Sequence, residues 1–263
     1  MNLGLDGKVA LVTGASAGLG LAAATALSQE GASVAINSRS LDNLMRAAEK
    51  IKAESGKEPL VIPGDLGSEN VAEEIVDKAV SKLGAIDILV SNAGGPPAGT
   101  FLTLSKESWK KSADLTLHSA INLTRAVVPG MISRKWGRII YITSVSVKQP
   151  IDGLIISNAL RAGLTGFAKS ISNELASSGI TVNTVCPGYT NTDRLKQLAK
   201  NEVDATGKST EEVYRKWTGM IPAGRVGRPE ELAYLIAFLS SEKAAFITGT
   251  SIPVDGGFVK GLL

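Results

Sequence analysis

Short apolar runs alternate along this chain with longer segments whose apolar residues recur at helical spacing. KVALVTG (8–14) predicts a first strand, and Leu19–Glu30, stopped by Gly31, predicts a helix. SVAIN (33–37) reads as a second strand, followed by a charged amphipathic helix from Leu41 to about Glu54. PLVIP (59–63), Glu69–Leu83 and DILVSN (87–92) read as strand, helix and strand. Ser105–Met131 is expected to form one long helix, with Pro129 near its end. GRIIYITSV (137–145), Leu154–Ser177 and ITVNTVC (180–186) repeat the pattern of strand, helix and strand. Asn191–Gly219 is polar with sparse apolar residues, and no element is predicted in it. Pro229–Leu239 reads as the last helix and SIPV (251–254) as a short final strand. Strands that are apolar throughout, separated by helices, predict a parallel sheet covered on both faces and wound right-handed. No linker, repeat or low-complexity segment interrupts this, so residues 1–263 are read as one domain.

Composition narrows the function classes. The chain's 263 residues suffice for one large α/β domain with a substantial core. The formal charge of +3 is small and the basic residues are scattered, which argues against a nucleic-acid surface. Cys186 is the single cysteine and there is one histidine, so an intrachain disulfide is impossible and no metal site is predicted. The start, MNLGLDGKVALVTG, has no basic segment followed by an apolar run and does not read as a signal peptide. Apolar runs such as LAYLIAFL (232–239) are too short to span a bilayer, so a cytoplasmic protein without a membrane partner is expected.

The chemistry starts at TGASAGLG, Thr13–Gly20, between the first strand and first helix. Taken alone, such glycines can mark only a tight turn. Placed here, they let backbone N–H groups approach a pyrophosphate, and the helix N-terminus adds positive potential. The spacing of Gly14, Gly18 and Gly20 differs from GxGxxG and resembles the TGxxxGxG of the short-chain dehydrogenase/reductase family. Further matches follow in order: Asp65-Leu66 after the third strand, Asn92-Ala93-Gly94 ending the fourth, and Ser144 at the end of the fifth. Pro187-Gly188 with Thr190 and Thr192, and Asp255-Gly256-Gly257 near the end, complete the set.

The resemblance implies a single Rossmann-type doubly wound α/β domain, with a seven-stranded, mainly parallel sheet and helices on both faces. In overall pattern the chain is most similar to the 3-oxoacyl-carrier-protein reductases. It implies that Gly14, Ser16, Gly18, Leu19, Gly20, Asp65, Leu66, Asn92, Ala93, Gly94, Pro187, Gly188, Thr190 and Thr192 contact a nicotinamide cofactor. It also implies a substrate lid at 191–219 and a homodimer or homotetramer. Where NAD enzymes usually carry a carboxylate for the ribose, at the end of the second strand, this chain has Ser38-Arg39. A guanidinium and a hydroxyl suit a 2′-phosphate, which favours NADP(H) over NAD(H). The alternative is a solvated arginine, and Ala17 stands where many NADP-dependent members place a second basic residue.

The catalytic end departs from the family. Its Tyr-x-x-x-Lys falls on SNALRAGL (157–164), which puts Ser157 at the tyrosine and Arg161 at the lysine. DLTLHSAINLTRA (114–126) puts Thr116 at the family's asparagine, leaving Ser144 as the one unchanged member of the tetrad. Positions 157 and 161 share a helix face and are expected to point at the cofactor. A serine is a weaker acid than a phenol and shorter by a ring. An arginine can donate to ribose hydroxyls but cannot release its proton at neutral pH. Ser144, Ser157 and Arg161 are therefore the candidate catalytic residues, with Arg161 also a candidate cofactor contact.

Tyr189 is the nearest other phenol along the chain, though a packing role in its loop is preferred. Lys148 and Asp152 read as loop charges, Tyr141 as pointing away from Ser144, His118 as a surface residue and Cys186 as a buried thiol. Two readings stay open. One is an NADP(H)-dependent oxidoreductase acting on a small-molecule carbonyl or alcohol through an altered relay. The other is a non-catalytic NADP(H)-binding protein, either a redox sensor or a scaffold subunit.

Overall fold

Each run read as a strand becomes one, and all seven strands join one sheet. The computed structural model describes residues 2–262. The strands are β1 (Val9–Val12), β2 (Ser33–Ser38), β3 (Leu60–Pro63), β4 (Ile88–Ser91), β5 (Gly137–Ile142), β6 (Ile180–Pro187) and β7 (Ser251–Val254). Their order is β3-β2-β1-β4-β5-β6-β7. Every pairing is parallel, so the sheet is wholly parallel where a mainly parallel one was expected.

Side-chain alternation builds two cores. Ala10, Val12, Ile88, Val90, Ile140 and Ile142 pack on one face against α1 (Gly18–Gln29), α2 (Leu41–Ser55) and α9 (Pro229–Leu239). Val9, Leu11, Leu89, Ile139 and Tyr141 pack on the other face, beneath α3 (Val71–Leu83), α5 (Ser119–Arg134) and α6 (Ile155–Leu175). With both faces covered, β1, β4 and β5 are buried at every position, so their runs show no apolar-polar alternation in sequence. Covering helices such as α2 and α3 keep a helical period because each buries one stripe. In α2 that stripe is Leu44, Ala47, Ala48 and Ile51; Ser40 caps its start by accepting from the Asn43 N–H at 3.3 Å, and Gly56 ends it with φ 74°.

Leu123, on α5, is fully buried in the second core. Leu123→Ala is expected to cost about 2–5 kcal/mol of folding stability, read from the denaturant midpoint. A loss below ~1 kcal/mol would mean that α5 is not packed as described.

Two segments differ from expectation. Ser105–Met131 is not one regular helix: α4 (Lys106–Ala113) runs into a π-helical turn, Asp114–His118, before α5 begins. The extra residue in that turn falls around Thr116, whose hydroxyl is buried with no partner among the described residues. The polar stretch 191–219 holds two helices, α7 (Asp193–Thr206) and α8 (Thr210–Met220). They bury only a narrow seam, Leu195, Ala199, Val213 and Trp217, which leaves most of each helix polar and hides the period. Ser209 and Glu212 form a reciprocal capping box at the start of α8, a signal that was present in the sequence.

Candidate active site

After β1 the chain turns to β2 and β3 on one side, and β4 lies on the other, which opens a crevice at the carboxyl ends of β1 and β4. The two loops are stapled there. Thr13 Oγ1 donates to Asn92 O at 2.8 Å and accepts from the Asn92 N–H at 2.9 Å, and Asn92 Nδ2 donates to Gly14 O at 3.1 Å. This closeness dictates the glycines. A Cβ on Gly14 would lie 2.7 Å from Asn92 Nδ2, and one on Gly20 would overlap Gly14 O.

A cavity of about 1290 Å³ opens from this crevice. Gly14, Ala17, Gly18 and Leu19 form one end, Asn92, Ala93 and Gly94 a side, and Pro187, Gly188, Thr190 and Thr192 the facing side. The N-terminus of α1 meets this cavity without a side-chain cap, so its first N–H groups are free to bind an anion. A Cβ on Gly94 would stand in open space. These features fit a dinucleotide pyrophosphate and the ring beyond it. Ser38, Arg39, Asp65, Leu66 and Ser16 lie outside the lining, the first four at the ends of β2 and β3 or just past them. Arg39 and Asp65 are exposed, and Ser38 Oγ is buried with no partner among the described residues.

The far wall holds the candidate catalytic residues. Ser144 follows β5, and its Oγ accepts from the Ser146 N–H at 3.1 Å. Asn158 of α6 fixes the loop beyond, donating to Ile151 O at 3.0 Å and accepting from the Ile151 N–H at 3.4 Å. Ser144, Ser157 and Arg161 all line the cavity. Arg161 is nevertheless tied down: its Nη1 donates to Ile142 O at 2.8 Å and to Thr143 O at 2.9 Å, the two carbonyls before Ser144. Burial, together with the charge of Arg194, pushes its pKa down to about 10, so it stays cationic at neutral pH. The guanidinium thus holds the end of β5 in place as well as facing the cavity.

Tyr189 lines the cavity, yet its ring stacks on Trp217 at 5.0 Å and meets Phe258 edge-on at 5.3 Å. It packs against the buried seam of α7 and α8, and burial raises its phenol pKa. Asp152 is in the lining; Lys148 is not. Tyr141 points into the core under α5 and α6, its hydroxyl 2.6 Å from that of Thr124. His118 is exposed, 3.0 Å from Asp114. Cys186 is fully buried beside the Thr143 hydroxyl, and burial pushes its thiol pKa up.

The sequence reading missed Arg194. It stands in the first turn of α7, lines the cavity and donates through Nη2 to Pro96 O at 2.5 Å. Gly95 makes room, since a Cβ there would lie 2.7 Å from Arg194 Nε. A cation in a helix's first turn opposes the helix dipole, and that was the available signal.

The family model described as Enoyl-(Acyl carrier protein) reductase matches residues 14–259. The chain belongs to the short-chain dehydrogenase/reductase family. It is 37% identical over 252 residues to the putative ketoacyl reductase of the monensin polyketide synthase of Streptomyces virginiae, covering 95% of this chain and 96% of that one. It is 36% identical over 255 residues to the 3-oxoacyl-[acyl-carrier-protein] reductase FabG of Escherichia coli strain K12, covering 97% and 98%. Among solved structures, L-sorbose reductase from Gluconobacter frateurii, complexed with NADPH and L-sorbose, superposes with a TM-score of 0.94 at 34% identity, covering both chains in full. A variant of actinorhodin polyketide ketoreductase with NADPH gives 0.93 at 34% identity, covering 97% of this chain and 98% of that one. This short-chain dehydrogenase/reductase is thus an oxidoreductase by family, on a seven-stranded Rossmann-type sheet. No helix among the described residues is long and apolar enough to cross a membrane, and no cluster of metal-ligating side chains is found among them.

Proposed function

We propose that this protein is an NADP(H)-dependent reductase of a small-molecule carbonyl, working without the family's tyrosine–lysine relay. The observation that carries this reading is one continuous cavity, from the uncapped N-terminus of α1 to Ser144 and Ser157. Gly14, Ser16, Gly18, Leu19 and Gly20 would hold the pyrophosphate, and Asn92, Ala93, Gly94, Pro187, Gly188, Thr190 and Thr192 the nicotinamide half. Asp65 and Leu66 would sit by the adenine, and Ser38 with Arg39 would take the 2′-phosphate. No carboxylate ends β2 to repel that group. That relatives of known structure are described with NADPH supports the same preference.

When bound, the cofactor supplies or removes the hydride. The chain's own residues then have to orient the carbonyl and deliver a proton to its oxygen. Ser144 Oγ accepts the Ser146 N–H, which leaves its proton free to donate to that oxygen. Ser157, in the same wall, continues the path to solvent water. Arg161 keeps Ile142 and Thr143 in place and faces the ribose side, but it holds its proton. Without a phenolic acid, turnover is expected to be slower than in a tyrosine-bearing relative by about 10²–10⁴-fold.

The replacement of Tyr and Lys by Ser157 and Arg161 also supports the second reading, a non-catalytic NADP(H)-binding protein. One experiment separates them: NADPH binding and NADPH oxidation are followed with a panel of ketones and aldehydes, for the wild type and Ser144→Ala. The reductase reading expects slow turnover that falls at least ~10-fold in Ser144→Ala. Tight binding with no oxidation of NADPH by any carbonyl would overturn it in favour of the second reading.

A further inference from the structure

Two guanidinium groups reach the cavity. Arg161 enters from α6 on the Ser144 side, and Arg194 enters from α7, across the loop that follows β4. Arg161 is buried and Arg194 half-buried. Their protein partners are backbone carbonyls: Ile142 O and Thr143 O for one, Pro96 O for the other. Each is desolvated, and Arg194's charge bears directly on Arg161, so they lie within electrostatic reach of each other.

The cavity's carboxylates do not offset them. Asp193 pairs with Lys196 at 2.9 Å and Glu202 with Lys216 at 2.8 Å, while Asp152 and Asp204 form no ion pair with either arginine among the described residues. Two desolvated like charges with only neutral partners are unfavourable, and a bound anion relieves both. The remaining donors have the shape for one. Arg161 spends Nη1 on the two carbonyls, and its Nε and Nη2 make no hydrogen bond among the described residues. Arg161 lines the cavity, and this edge of its guanidinium is left unspent by the protein. That free edge is a planar two-point donor matched to a carboxylate.

We propose that Arg161 and Arg194 form an anion subsite beside Ser144, and that it takes a carboxylate of the substrate, which is therefore a free oxo acid or the matching hydroxy acid. This rests on the reading of the protein as a carbonyl reductase. A cofactor phosphate is the other source of such an anion, but the uncapped start of α1 already provides for the pyrophosphate at the opposite end of the cavity. The subsite distinguishes the free acid from a neutral ester or thioester of the same carbon skeleton. A carboxylate held by both would also bridge α7, which carries Arg194, to α6, which carries Arg161.

The test uses 2-, 3- and 4-oxopentanoate and their methyl esters, titrated by calorimetry into the NADP⁺-loaded protein, with NADPH oxidation measured in parallel. At least one acid is expected to bind 10-fold or more tightly than its ester. Arg194→Met is expected to erase that ratio while NADP⁺ affinity stays within 2-fold, and Arg194→Lys to keep part of it. Equal binding of acids and esters overturns the proposal. A Met variant that loses NADP⁺ affinity 10-fold while the acid-to-ester ratio persists also overturns it, by assigning the pair to a cofactor phosphate. A clear acid preference without any NADPH oxidation upholds the subsite and overturns the reductase reading alone.

Discussion

Replacing Ser157 by Tyr and Arg161 by Lys together is expected to raise kcat for ketone reduction by about 10²–10⁴-fold, the usual contribution of a well-placed general acid. The argument is local. Both positions line the cavity on the face of α6 that looks at Ser144, so a phenol at 157 extends toward the same space. An ammonium at 161 lowers the phenol's pKa through its charge and helps hold the ribose. The single variants divide the effect. Ser157→Tyr alone leaves the Arg161 bonds to Ile142 O and Thr143 O intact, so it is expected to fold normally and to gain part of the rate. Arg161→Lys alone loses the fork that serves both carbonyls, and it is expected to lose about 1–3 kcal/mol of stability with no gain in rate. Steady-state NADPH oxidation and thermal unfolding read the two consequences separately. A double variant no faster than the wild type would mean that the proton arrives by another route, and that the missing phenol does not limit turnover.

Much of this was legible in the sequence, and the exceptions share a cause. Apolar runs revealed the strands because a doubly covered sheet buries every position, as in VALV of β1 and GRIIYI of β5. The turn between β1 and α1 was legible because glycine at 14 and 20 answers a backbone constraint that no other residue meets. Ser144, Ser157 and Arg161, singled out by register, line one cavity. What the register left open was the use of Arg161's donors. Its contacts with Ile142 O and Thr143 O join residues 18 and 19 positions away, and side-chain-to-carbonyl bonds leave no periodic trace. Arg194 was hidden for the same reason, because Pro96 lies 98 residues away. Helices α7 and α8 escaped because their buried seam is too thin to set a period, and the π turn because one inserted residue scarcely disturbs an apolar pattern.

Gly20→Ala is expected to weaken NADPH binding by ~30-fold, corresponding to the loss of roughly 2 kcal/mol of interaction at a helix N-terminus. The cause is steric and not conformational, since Gly20 is absent from the positions with positive φ. A Cβ there would overlap Gly14 O and lie 2.8 Å from Gly14 C and 2.9 Å from Asn92 Nδ2. These neighbours are not free to yield, because Gly14 O accepts from Asn92 Nδ2 and Asn92 is held by Thr13. The start of α1 must therefore move off the end of β1, taking its free N–H groups away from the crevice. Overpacking at such a site is expected to cost about 1–3 kcal/mol of stability as well. Gly56→Ala is the control. Gly56 ends α2 at φ 74° with no atom near its Cβ position, so it too is expected to lose about 1–2 kcal/mol, through backbone strain alone. It is expected to leave NADPH affinity unchanged. Fluorescence titration of both variants against matched unfolding curves separates the two effects. If Gly20→Ala bound NADPH as tightly as Gly56→Ala at equal stability, the crevice between β1 and β4 would not be where the cofactor's phosphates bind.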